Sequence, residues 1–329
     1  MRSITGVIVA ALALLMAHPA VAARSKAEAK SAAQAKNDQF ATHERILQWI
    51  DGYRSDPEPD LVPAAVQAMS KLGLFKDPDT AGVFIGFLAG VLGDNQLKAE
   101  ALVAKMFPMP PEDQAVIVKA IAYSGLPHWK ELLGKFVERM PARKVLIDRF
   151  LHGKEKVLKD LPLDSGPAPI DTLWGFYFAT GSFEPVQRII SALPWSQDKS
   201  DVNKLTIGSM AKWTLASNAA RDKPLLDYCR SELKHRPKEV TGPLKEVVEA
   251  AEAYETGRIR KEAVAAIEEL KRKGPTKSTA WAWAAQAGST AIAVGCVVAS
   301  ATGHVELGLP CIITGALSSA ATKLLGGTP

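Results

Sequence analysis

An all-α chain of antiparallel helical hairpins is the fold class this sequence predicts, on three observations. Apolar residues recur at i, i+4 and i+7, as in Val62, Val66 and Met69 or Val116, Ala120 and Tyr123, a spacing that gathers them on one face of a helix. Alternating strand-like runs are almost missing. Gly and Pro interrupt the chain at helix-length intervals instead. The hairpins are expected to stack as a divergent α-solenoid or to gather into a helical bundle, and to end in a C-terminal hairpin of small-residue helices.

The elements follow in chain order. Residues 1–23, MRSITGVIVAALALLMAHPAVAA, place Arg2 before an apolar run at 7–17 and an A-x-A site at Ala20-Val21-Ala22. That order is the signature of a secretory signal peptide. The apolar run is too short to span a bilayer, so the mature chain is expected outside the cytoplasm, periplasmic or extracellular, where disulfides form. Residues 24–39 are Ala- and Lys-rich with no large apolar side chain; with nothing to bury, they read as a flexible tether.

Residues 40–153 form a first helical region with the segments DLVPAAVQAMSKLG, DTAGVFIGFLAGVLG, PPEDQAVIVKAIAYSG and PHWKELLGKFVERM. Residues 154–169, KEKVLKDLPLDSGPAP, hold three prolines and few large apolar residues and are expected to be a linker. A second helical region, 170–277, contains IDTLWGFYFATG, SFEPVQRIISAL, VNKLTIGSMAKWTLASN, KPLLDYCRSELKHR and a long charged segment from Gly242.

A weak internal repeat runs through both regions. IVKAIAYSGLPHWKELL, LWGFYFATGSFEPVQRII and AKWTLASNAARDKPLLDYC each carry an aromatic-containing helix, then Gly125, Gly181 or Asn218, then a second helix. Gly and Asn accept the left-handed conformation that closes a helix, which predicts three similar C-caps. The spacing is too irregular for a tetratricopeptide array.

At these residues the chain resembles a group of uncharacterised, exported bacterial helical proteins with a D-x-L-W-G-x-F-x-A-T-G block and a W-x-L-x-x-N block. DTLWGFYFATGSFEPVQRII and AKWTLASN carry the resemblance, which extends over about residues 40–250. It implies a helical fold and no activity.

Catalytic patterns are sparse. S-x-x-K occurs at Ser196/Lys199, Ser209/Lys212 and Ser231/Lys234, but the S-D-N and K-T-G partners of a penicillin-binding site are missing from the sequence. His43, His128, His152, His235 and His304 are widely spaced, and neither H-E-x-x-H nor C-x-x-C occurs, so no metal or other cofactor is expected. GPTKS lacks the first glycine of a phosphate loop. The reading is therefore non-catalytic. The 40 Lys and Arg are nearly offset by 35 Asp and Glu, a net charge of +5; a dedicated nucleic-acid partner calls for a more one-sided balance.

Two surfaces are candidates for binding. Trp174, Tyr177, Trp195 and Trp213 combine apolar area with a polar tip and could line a groove, although Trp174 and Tyr177 also share the i, i+3 spacing of a buried face. Arg258, Arg260, Lys261, Lys271, Arg272 and Lys273 lie just before an uncharged stretch, 278–303; they could meet anionic headgroups.

Residues 278–329 pose the question of environment. The uncharged stretch is long enough to cross a bilayer core of ~20 residues, but it is mostly Ala, Gly, Ser and Thr. A basic flank also belongs on the cytoplasmic side, which export reverses. Ala287, Ala291, Gly295 and Ala299 form a small-residue stripe that favours a tight helix pair in either solvent. Cys296 and Cys311 are a candidate disulfide near its turn. Their helix depths differ by roughly 8 Å at ~1.5 Å per residue, against a Cα limit of ~7 Å. Cys229 is then the remaining thiol. Taken together, the sequence predicts an exported binding or scaffold module for a protein or other envelope component. The alternative is a membrane-associating protein that uses its C-terminal hairpin and the basic segment before it.

Overall fold

A computed structural model describes residues 39–76 and 81–252, with the isolated positions Glu268 and Arg272. These residues are all-helical: twelve α-helices and several 3-10 turns, with no strand among the described residues. The chain enters at α1 (His43–Gly52), whose N-cap Thr42 accepts a hydrogen bond from the Arg45 N–H and whose Ile46, Leu47 and Ile50 face inward. Pro59–Leu61 forms a 3-10 turn into α2 (Val62–Lys71), and Val62, Val66 and Met69 are buried along one face as the spacing predicts.

The centre of the molecule is α3 (Gly82–Asp94) against α8 (Ala168–Thr180). Both are apolar nearly all round, the pattern of helices with no solvent side; α3 is buried from Gly82 to Leu92. Gly82, Gly86 and Gly90 recur every fourth residue and so share a face. A Cβ at Gly82 would meet the Ala168 carbonyl oxygen at 2.7 Å, at Gly86 the Thr172 oxygen at 1.9 Å, and at Gly90 the Ala179 Cβ at 2.7 Å. The contacts climb both helices together, so the two run parallel, backbone on backbone. From the other side, Gly175 of α8 has the Val83 oxygen 2.0 Å from the position its Cβ would take.

The remaining helices cover this pair with their apolar faces. They are α4 (Ala99–Lys105), α5 (Gln114–Tyr123), α6 (Trp129–Lys135) and α7 (Lys144–Leu151), followed past α8 by α9 (Phe183–Ser191), α10 (Val202–Ala219), α11 (Lys223–Glu232) and α12 (Lys238–Glu252). α5 reaches α3 where Gly93 lies under the Ser124 carbonyl. α10, the longest at 18 residues, is buried over most of its surface. Its Gly208 admits the backbone of the 3-10 turn Leu193–Gln197 at Trp195 and Ser196.

The most extensive helix–helix contact therefore joins helices on either side of residues 154–169. A solenoid unit touches only its neighbours in sequence; α3 and α8, with four helices between them in the chain, touch at the core, as in a bundle. Residues 154–169 are themselves structured: 3-10 turns at Leu158–Asp160 and Leu163–Ser165 bury Leu158 and Leu163 before α8 begins at Ala168.

Of the three expected left-handed caps, two are present: Gly125 at φ +73° and Gly181 at φ +69°. Asn218 is a correction. It lies inside α10, one residue before its end at Ala219, and its carbonyl accepts from the Arg221 and Asp222 N–H groups.

Candidate functional site

A cleft of about 380 Å³ opens between the two hairpins closed by those glycines, at the small end of the ~300–1,000 Å³ typical of ligand pockets. One wall is the end of α5 with its turn. Ser124 Oγ donates to the Ile121 carbonyl at 2.7 Å and accepts from the Leu126 N–H at 3.3 Å. Gly125 then reverses the chain and α6 starts at Trp129. This wall presents Tyr123, Leu126 and Trp129.

The second wall repeats the device. Thr180 Oγ1 donates to the Phe176 carbonyl at 2.9 Å and accepts from the Ser182 N–H at 3.1 Å. Gly181 turns the chain, and Ser182 caps α9 by accepting from the Glu184 N–H. Leu173 and Phe176 of α8 and Glu184, Pro185 and Arg188 of α9 face the cleft.

Residues 157–159 close the third side. Arg188 holds this strap by donating from both terminal nitrogens, one to the Leu158 carbonyl and one to that of Leu161. Burial lowers the Arg188 pKa, and the nearby carboxylates of Asp160 and Glu184 oppose that shift. Burial, with the Glu155 charge adding to it, pushes the Tyr123 phenol up to about 12, so at neutral pH it remains a hydroxyl. Tyr123 is 8% exposed.

The aromatic residues singled out in the sequence lie elsewhere. Trp174 and Tyr177 are fully buried and Trp213 is 6% exposed, so these rings pack the core and offer a ligand no groove. Trp174 donates from Nε1 to Thr214 Oγ1 at 2.9 Å, and Thr214 in turn donates to the Met210 carbonyl at 2.8 Å. Trp195 is half-buried over Gly208. Tyr177 ends in a closed polar ring: its hydroxyl accepts from Arg54 Nη1 and donates to Asp222 Oδ2, both at 2.5 Å, while Arg54 Nη2 reaches the same carboxylate oxygen. Asp222 Oδ1 accepts from the Leu225 N–H and caps α11. One ring thus ties α1's exit, α8 and α11 together.

Ser196 and Ser231 donate their hydroxyls to the carbonyls of Leu193 and Tyr228, and Lys212 pairs with Glu246. His152 bonds the Asp148 carbonyl at 2.6 Å through Nδ1. Among the described residues no three His, Cys, Asp or Glu side chains gather as metal ligands, and no helix is long and apolar enough to cross a membrane. Cys229 is a buried free thiol. Cys296 and Cys311, with Arg258, Arg260, Lys261, Lys271 and Lys273, lie outside the described residues; Arg272 is helical and exposed.

Fold and cleft define the class: an all-α bundle with a side pocket built from paired helical hairpins. No protein-family model, curated protein or solved structure matches the chain.

Proposed function

We propose that this chain is an exported, non-catalytic binding protein of the cell envelope, and that the cleft between the α5–α6 and α8–α9 hairpins is where it binds. The single observation behind this reading is the construction of that cleft. Leu126, Leu173, Phe176 and Pro185 give it an apolar interior, Tyr123, Lys159, Glu184 and Arg188 set polar groups around it, and Gly-closed turns fix both walls. Convergent polar groups in an apolar concavity are what small-ligand and peptide-tip sites share. The lining supplies no Ser, Thr, Cys, His or Asp and one carboxylate, Glu184, a set suited to holding a molecule rather than to attacking it. Export rests on residues 1–23.

The test uses a plugged variant. Val157 is half-buried in the strap at the cleft, and Val157→Trp fills the opening without entering the α3–α8 core. Envelope extracts are passed over the wild-type and V157W proteins, and bound molecules are identified by mass spectrometry. A component retained by the wild type and lost from a folded V157W supports the reading; identical retention by both removes the cleft from it.

A further inference from the structure

Resting on the binding reading above, we infer that residues 154–161 are a gate over the cleft, latched shut by the Arg188 side chain and released when that side chain turns to Glu184.

This strap is fastened at its two ends and by one side chain between them. At its start, Gly153 turns the chain at φ +69°. The Lys154 and Glu155 N–H groups then donate to the Arg149 carbonyl at 2.8 and 3.3 Å, and the Glu155 carboxylate pairs with Arg149 at 2.6 Å. Past its end, Leu163 is buried and the Asp164 carbonyl accepts from Asn203 Nδ2 at 2.6 Å.

Between these anchors the backbone bonds close on the strap itself, from the Asp160 N–H to the Val157 carbonyl and from the Leu161 N–H to the Leu158 carbonyl. Lys156, Lys159 and Asp160 are exposed, Val157 and Leu161 are half-buried, and Leu158 is buried. Among the described residues, the hydrogen bonds that leave 156–161 are the two accepted from Arg188. Segments with few buried apolar contacts open at a fraction of the free energy of unfolding, and the lids of ligand sites are such segments.

Arg188 has a second partner within reach. Glu184 stands one turn before it on α9, at the i, i+4 spacing that lets opposite charges meet. Glu184 is exposed and lines the same cleft, and among the described residues it forms no ion pair with Arg188 while the guanidinium is bonded to the strap. Asp160 of the strap and Glu184 of the helix both support the Arg188 charge against burial. When the strap lifts, Asp160 leaves with it and Glu184 stays, so the guanidinium keeps an acid beside it. Two discrete arrangements of one side chain, each with acceptors in place, make a two-state element. One closes the third side of the cleft; the other clears it for a ligand to enter.

Leu158→Cys puts a thiol on the buried side of the strap, and its alkylation by iodoacetamide in the mature full chain reports opening. Peptide mass spectrometry reads each cysteine separately, so buried Cys229 reports global unfolding in the same sample. The L158C thiol should react much faster than Cys229. Adding Arg188→Met should accelerate it at least about tenfold, the worth of one hydrogen bond to a charged group, with Cys229 still protected. Arg188→Lys keeps the charge without the planar fork; it should fall between the two, and it replaces R188M if that variant does not fold. Adding Glu184→Gln should slow alkylation about twofold, the worth of an i, i+4 ion pair, a direction that loss of stability alone does not produce. Alkylation of L158C in step with Cys229, no acceleration by the Arg188 substitutions, or no slowing by E184Q overturns the gate. The V157W capture decides separately whether the cleft binds anything.

Discussion

A Cβ on Gly86 would lie 1.9 Å from the carbonyl oxygen of Thr172, so the backbones of α3 and α8 touch with no side chain between them. Gly86→Ala must separate the two central helices or bend one of them. Overpacking a core costs about 1–3 kcal/mol and occasionally more, and here the obstacle is backbone on both sides. Urea unfolding of G86A and of Gly175→Ala should show a loss of at least about 3 kcal/mol. Gly134→Ala in exposed α6, where a Cβ meets nothing within 4 Å, should instead gain about 0.5–1 kcal/mol from helix propensity. Similar stability for all three variants would mean the central contact is looser than described.

The Arg54–Tyr177–Asp222 ring predicts graded losses. Tyr177→Phe removes one donor and leaves the 2.5 Å Arg54–Asp222 bridge in place; it should cost about 1–2 kcal/mol. Asp222→Ala leaves Arg54 without its acid and α11 without its N-cap, and should cost about 3 kcal/mol or more. A double-mutant cycle between the two positions checks the assignment, because independent sites add and members of one ring do not.

Alkali should weaken the fold through buried groups. Burial raises the Tyr123 phenol from 10.0 to about 12 and the Cys229 thiol from 9.0 to about 12. For an acid whose folded pKa is raised, the stabilisation is whole below the unfolded value and is lost as pH rises through the folded one. Stability should therefore hold to about pH 9 and fall steeply from there to pH 12. Cys229→Ala should flatten the early part of that decline and Tyr123→Phe the later part. Urea melts at half-unit intervals from pH 8 to 12 measure it; a curve unchanged in both variants would refute the assignment.

Compartment is tested by fractionation. Expressed with residues 1–23, the chain should lose them near Ala23 or Arg24, as intact mass will show. It should then appear in the periplasmic or extracellular fraction without detergent. Resistance to both a salt wash and an alkaline carbonate wash would place residues 278–325 in a membrane and replace the leading reading with the membrane-associating one.

The outer helices were legible because their signals are local. Val62, Val66 and Met69 sit on one face in sequence and in space, and Gly125 and Gly181 mark turns that physical chemistry reserves for glycine. α1, α4 and α7 went unmarked in the sequence, α4 and α7 being only 7 and 8 residues long, too short for periodicity to stand out. The central pair was harder to see. The four-residue spacing of Gly82, Gly86 and Gly90 is the same cue read at 287–299, but an apolar helix gives no direction to its partner, and Thr172 lies 86 positions from Gly86. The cleft was illegible for a related reason. Its walls are two segments recognised as similar hairpins and a third taken for a linker, and nothing local told that they would face one another.

That parallel contact also fixes when the molecule can become itself. α3 is apolar on every side, and the groove it must fill does not exist until α8, up to Thr180, is available. A chain delivered from its N-terminus must therefore carry α3 unsheltered for more than seventy residues of synthesis or translocation. Contacts of such sequence separation fold slowly and leave apolar surface open to chaperones meanwhile. Under the export proposed above, this delay would be useful, since the central pair cannot lock before Thr180 has left the ribosome.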